Sequence, residues 1–160
     1  MTTQRLLDTV GRMNAEVCDQ CGRCPSACPV TARIDGFNPR QMIAKFSLGR
    51  DEEIIESGVI WTCTSCLKCK ERCPEKISPY EVILALRRRA IAEGRQHPSS
   101  YDEAERAVTE TGVIQQPQPA RTRSRDRRDR AALGLPPTQK PNDQAKYTRA
   151  IEALKKEAEA

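Results

Sequence analysis

The stretch CDQCGRCPSACP, Cys18 to Pro29, is matched in spacing by CTSCLKCKERCP, Cys63 to Pro74. Both runs read C-x2-C-x2-C-x3-C-P, and together they hold all eight cysteines of the 160-residue chain. Eight thiols set out twice in one pattern must either pair as disulfides or hold metal, so the choice between these decides the fold. Apolar burial alone is a poor candidate for the task. Only 38% of the residues are hydrophobic and 4% aromatic, against 31% charged, which is thin for a core of this length.

Disulfides belong to oxidising compartments. The opening MTTQRLLDTVGRMNAEV lacks the apolar stretch and small-residue cleavage site of a signal peptide. No run of 18 apolar residues is present, so no transmembrane helix is expected. The expectation is a cytoplasmic chain with reduced thiols, which favours metal.

Spacing then selects the metal. Zinc sites usually combine a close pair of cysteines with two distant ligands. Here Cys18, Cys21 and Cys24 lie three apart, Cys28 follows after three residues, and Pro29 comes next. That is the run of two-cluster [4Fe–4S] proteins, in which the fourth cysteine of each run serves the other cluster. The pattern predicts Cys18, Cys21, Cys24 and Cys73 on a first cluster, and Cys63, Cys66, Cys69 and Cys28 on a second. A pair of structural zinc sites is the lesser alternative. Ligation across the runs would join the halves, and metal-binding free energy would become folding free energy.

Four thiolates per cluster leave no iron open to substrate and no cysteine spare as a nucleophile. The single histidine, His97, sits in GRQHPSS and reads as a solvated loop residue. No Gly-rich phosphate loop is visible. The expected role is electron carriage, with no catalytic residue on this chain.

The segments between and after the runs read as helices. In FNPRQMIAKFSLG, Asn38 is a good N-cap, Pro39 suits the first helical position and Gly49 can end the helix. In ISPYEVILALRRRAIAEG, Ser78, Pro79 and Gly94 take the same places. Met42, Ile43 and Phe46 share one face of the former, and Val82, Ile83, Leu86, Ala90 and Ile91 one face of the latter. DEEIIESG reads as a short helix capped by Asp51 with Ile54 and Ile55 inward. TTQRLLDTVGRM and SSYDEAERAVTETG read as flanking helices, and no strand is expected. Trp61 reads as a core residue, with a place beside the clusters as the alternative. Arg23 in the first run, and Lys68, Lys70 and Arg72 in the second, either favour reduced clusters or point into solvent or to a partner's acidic surface. On the first count the second cluster should have the higher potential.

This arrangement resembles the α-helical ferredoxin family, which includes the iron–sulfur subunits of succinate dehydrogenase and fumarate reductase and the C-subunit of heterodisulfide reductase. GFNPRQMIAKFSLGRDEEIIESGVIWTCTSCLKCKERCPEKISPYEVI is most like the last. Both runs are complete, and no plant-type ferredoxin domain precedes them. The resemblance covers residues 1–112 and implies an all-α fold with two [4Fe–4S] clusters. It further implies a relay role, from a flavin-containing iron–sulfur subunit to a cysteine-rich catalytic subunit that reduces the coenzyme M–coenzyme B heterodisulfide in methanogenesis. An iron–sulfur subunit of a succinate dehydrogenase- or fumarate reductase-like complex is the runner-up.

The remainder differs in kind. Residues 1–114 carry 16 Lys+Arg and 16 Asp+Glu, whereas residues 115–160 carry 11 and 6. All the excess positive charge therefore lies in the tail. The expected organisation is a ferredoxin domain over 1–114, a Pro/Arg-rich linker or arm over 115–141, and a helix over 142–160. Asn142 or Asp143 would cap that helix, and Tyr147, Ile151 and Leu154 would form its apolar stripe. The tail reads as a solvated extension or as an arm that docks on a partner subunit. A nucleic-acid-binding regulator is the reading from another class. The basic run lacks aromatic residues for base stacking, and Asp126 and Asp129 interrupt it.

Overall fold

The computed structural model describes residues 15–115, 117–138 and 140–159. The helix expected in TTQRLLDTVGRM lies outside the described residues. The chain divides into two compact units between His97 and Pro98. Among the described residues, no helix is long and apolar enough to cross a membrane.

The first unit is all-α. Its helices are α1 (Arg23–Ser26), α2 (Pro39–Ser47), α3 (Asp51–Glu56), α4 (Lys68–Glu71) and α5 (Pro79–Ala92), with 3-10 turns at Ala15–Val17 and Val59–Thr62. The two longer helices begin alike for a local reason. Asn38 Oδ1 accepts from the backbone N–H groups of Arg40 and Gln41, and Ser78 Oγ accepts from that of Glu81. Each cap satisfies donors that the first turn leaves unpaired. Pro39 and Pro79 follow the caps, where a missing N–H costs nothing.

The helices then pack in a repeated arrangement. α2 packs on α5, α1 on α4, α1 on α2 and α4 on α5. Ile43, Ile54, Ile60, Val82, Ile83 and Leu86 are each at most 2% exposed, so this small core is dry. A side chain such as Ile83 contributes about 1.5–3 kcal/mol by full burial. Phe46 is only partly buried, and Ile91 departs from its expected stripe at 39% exposure. Asp51 is not the cap of α3. Arg50 holds that position, while the Asp51 carboxylate bonds Arg89. Arg89 also bonds Glu52 and Glu93, which pins α3 to α5.

The second unit contains α6 (Ser99–Thr111), β1 (Ala120–Arg121), β2 (Arg127–Arg128) and most of α7 (Gln144–Glu159). Within it, Tyr147 Oη donates to Val108 O at 2.8 Å, and Lys155 pairs with Glu105 at 2.5 Å. The chain turns at Gly112, whose φ is +76°; an added Cβ there would lie 3.1 Å from the Pro141 ring. Asp143 caps α7 through Lys146 N. Ile151 is partly buried, whereas Leu154 is 59% exposed. The strands are an addition to the expected all-helical pattern. Ala120 pairs with Arg128 and Arg121 with Arg127, antiparallel. Both interrupting acids shape turns, since Asp126 O accepts from Thr122 N and Asp129 Oδ1 from Ala132 N.

Candidate metal centre

The two cysteine runs share a backbone path as well as a spacing. Gln20 and Ser65, just before the middle cysteines, have φ of 53° and 55°. Gly22 and Leu67, just after them, have φ of 80° and 61°. A helical turn then starts at Arg23 in one run and at Lys68 in the other. Left-handed residues on both sides of the middle cysteine curl each run around a hollow. Leu67 accepts a conformation costing about 1–2 kcal/mol where the first run has glycine.

Each hollow is closed by a cysteine from the other run. Cys18, Cys21, Cys24 and Cys73 line a first cavity. Cys28, Cys63, Cys66 and Cys69 line a second. All eight thiols are free. Among the described residues, no three such side chains close on a single-ion point; the thiols ring two volumes. Thiolate sulfur is the donor that iron–sulfur clusters take, and each cavity presents a complete set. Cys21 and Cys66, the middle cysteines, are the exposed members of their sets.

The walls of the cavities are related in pairs. Arg40 and Ile43 of α2 line the first, together with Pro79 of α5. Tyr80 and Ile83 of α5 line the second, together with Pro39 of α2. Between the cavities, Cys24 and Cys69 interact electrostatically, so the two sites are neighbours. Burial pushes the Cys24 thiol up to about 11, reinforced by the nearby thiols of Cys18, Cys69 and Cys21 and opposed by a backbone N–H. Burial also raises Cys69, against the pull of the Tyr80 N–H. Half-buried thiols so close together hold their protons until a cation displaces them.

Arg87 anchors the second run. It is 7% exposed, and its guanidinium donates to Ile60 O through Nε at 2.9 Å and Nη2 at 2.6 Å, and to Cys63 O at 2.8 Å. Its Cζ also lies 5.8 Å from the centroid of the Trp61 ring, within cation–π range. Trp61 packs against the core, as expected. His97 is half-buried rather than solvated, with its ring 6.1 Å from that of Trp61. The cations of the second run are paired or exposed. Lys70 pairs with Glu81 at 2.5 Å, which raises its pKa, and Lys68 and Arg72 are exposed. Arg23, in the first run, is exposed too.

Known proteins carry the same layout. The 4Fe-4S dicluster domain family matches residues 17–78. The chain is 32% identical over 158 residues to a protein of Archaeoglobus profundus described as like the C-subunit of heterodisulfide reductase, covering 96% of this chain and 78% of that one. The chain belongs to the heterodisulfide reductase C-subunit family. Another member, the C-subunit of the ferredoxin:CoB-CoM heterodisulfide reductase of Methanosarcina mazei, is 33% identical over 138 residues, 86% of this chain and 80% of its own. The corresponding protein of Methanosarcina acetivorans is 38% identical over 93 residues, 58% of this chain and 37% of its own. The chain thus spans little more than a third of that relative's length. The dicluster match and the eight cysteines give this family member two [4Fe–4S] clusters.

Proposed function

We propose that the chain is the electron-relay subunit of a heterodisulfide reductase complex. It receives single electrons from a flavin-containing iron–sulfur subunit and delivers them to a cysteine-rich catalytic subunit. That partner reduces the mixed disulfide of coenzyme M and coenzyme B in methanogenesis. Bound clusters supply reversible one-electron storage. This chain's residues ligate them, set them side by side and shield them.

The proposed ligands are Cys18, Cys21, Cys24 and Cys73 for the first cluster, and Cys63, Cys66, Cys69 and Cys28 for the second. The lining of the two cavities supports this division. The observation that carries the relay reading is that the sites lie near enough for Cys24 and Cys69 to interact electrostatically, while Cys21 and Cys66 are exposed. Neighbouring redox centres, each with an exposed ligand, suit passage between two partners.

The residues from Pro98 onward are proposed to serve assembly, as an arm that engages a partner subunit. Their separate packing supports this.

The test uses a complex assembled with Cys66→Ala. Electrons from the flavin subunit should no longer reach the disulfide, while an artificial donor feeding the catalytic subunit directly should still reduce it. Transfer from the flavin subunit at the normal rate, with the variant chain bound, would make this chain a scaffold.

A further inference from the structure

One polar atom beside the first cavity has nothing to bond. Arg40 Nε is buried without a hydrogen-bond partner, on a side chain that lines that cavity. Two other groups of the residue are engaged. Its backbone N–H serves the Asn38 cap at 3.0 Å, and Nη1 reaches Gln20 O at 3.4 Å. An unmet buried donor is costly, more so on a charged group, and a guanidinium cannot escape by losing its proton. The partner must come from what fills the cavity.

The repeated fold supplies a comparison. Arg40 follows Pro39 as Tyr80 follows Pro79, and each lines the cavity of its own half. The first cavity therefore has a cation where the second has a neutral phenol. A [4Fe–4S] cluster on four thiolates is anionic and gains one negative charge on reduction. Hydrogen bonds to sulfur and nearby charge set its potential.

We propose that Arg40 Nε–H donates a hydrogen bond to sulfur of the first cluster and raises that cluster's reduction potential. One electron enters on reduction and no proton moves, because the guanidinium stays charged in both states. Arg40 is a positioning and tuning residue, and its assignment rests on the ligand set Cys18, Cys21, Cys24 and Cys73.

The test is an EPR-monitored redox titration of the full cluster-loaded chain as wild type, Arg40→Gln and Arg40→Lys. Cys21→Ser and Cys66→Ser identify which signal belongs to which run, independently of Arg40. Arg40→Gln should lower the reduced-to-oxidised ratio of the Cys21-marked cluster at least tenfold at fixed solution potential, about 59 mV for one electron. The Cys66-marked cluster should titrate as before. Arg40→Lys keeps the charge without the Nε donor and should fall between. An unmoved first cluster, or an equal shift of both, overturns the proposal. Should Arg40→Gln lose its cluster, wild-type chain labelled with ¹⁵N-arginine decides: pulsed EPR must show arginine nitrogen coupled to the reduced first cluster, and its absence is equally fatal. A Cys73→Ser change that alters the Cys66-marked signal instead would sink the ligand set, separately from the arginine coupling.

Discussion

Arg87 Nη2 donates to the carbonyl of Cys63 at 2.8 Å, across 24 residues of sequence. The same guanidinium holds Ile60 O. The approach to the second run is thus fixed from the interior of α5, by a buried charge that gives three hydrogen bonds. Arg87→Gln should destabilise the cluster-loaded protein by about 2 kcal/mol, the scale of lost hydrogen bonds to a charged group. Anaerobic thermal melts should fall by several degrees. A wild-type melting temperature would mean that the clamp contributes nothing.

Ligation across the runs predicts damage at a distance. Cys73→Ala should chiefly harm the cluster of Cys18, Cys21 and Cys24, although it belongs to the other run. Cys28→Ala should do the converse. Mössbauer and EPR spectra of the two variants decide, and a pattern in which each change harms its own run's cluster overturns the assignment.

Metal uptake should depend on pH. The Cys24 thiol is pushed up to about 11 and Cys69 is raised, so both are protonated at neutral pH. Iron must displace those protons, and binding strengthens as pH rises. Reconstitution of apoprotein at limiting iron should go further at pH 8.5 than at pH 7. Equal yields at both values would show that these protons do not oppose loading.

The second unit is dispensable for the clusters in this scheme. Among the described residues, the buried apolar ones that form the core lie at or before Ala90. A chain ending at His97 should keep about eight irons and eight labile sulfides, as two cubes require, yet assemble less well with partner subunits. Loss of iron on truncation would contradict this division, and undiminished assembly would make the tail a solvated extension.

The starts of α2 and α5 are legible in the sequence because capping is local. Asn38 and Ser78 bond donors two or three residues away. The two-cluster cofactor is legible because cysteine spacing reflects the reach of a short loop. Long-range partners are another matter. Asp51 looks like a cap until Arg89, 38 residues on, draws its carboxylate away. Lys68, Lys70 and Arg72 look like the charges that matter at the second site, but one is paired and the others are exposed. Arg40 and Arg87 read as ordinary helix residues. Only tertiary packing brings one to a cavity wall and the other to the carbonyl of Cys63.

The last wall residue of each cavity lies late in the first unit: Pro79 in the first, Ile83 in the second. A ribosome makes the run ending at Pro29 well before either. At roughly 5–20 residues per second, the early thiols spend seconds with no wall to close on. The first hollow cannot take shape until residue 79 has been made, nor the second until residue 83. Iron and sulfide can therefore be enclosed at both sites only after that point, and reducing conditions or a chaperone must guard four naked thiols in the interval.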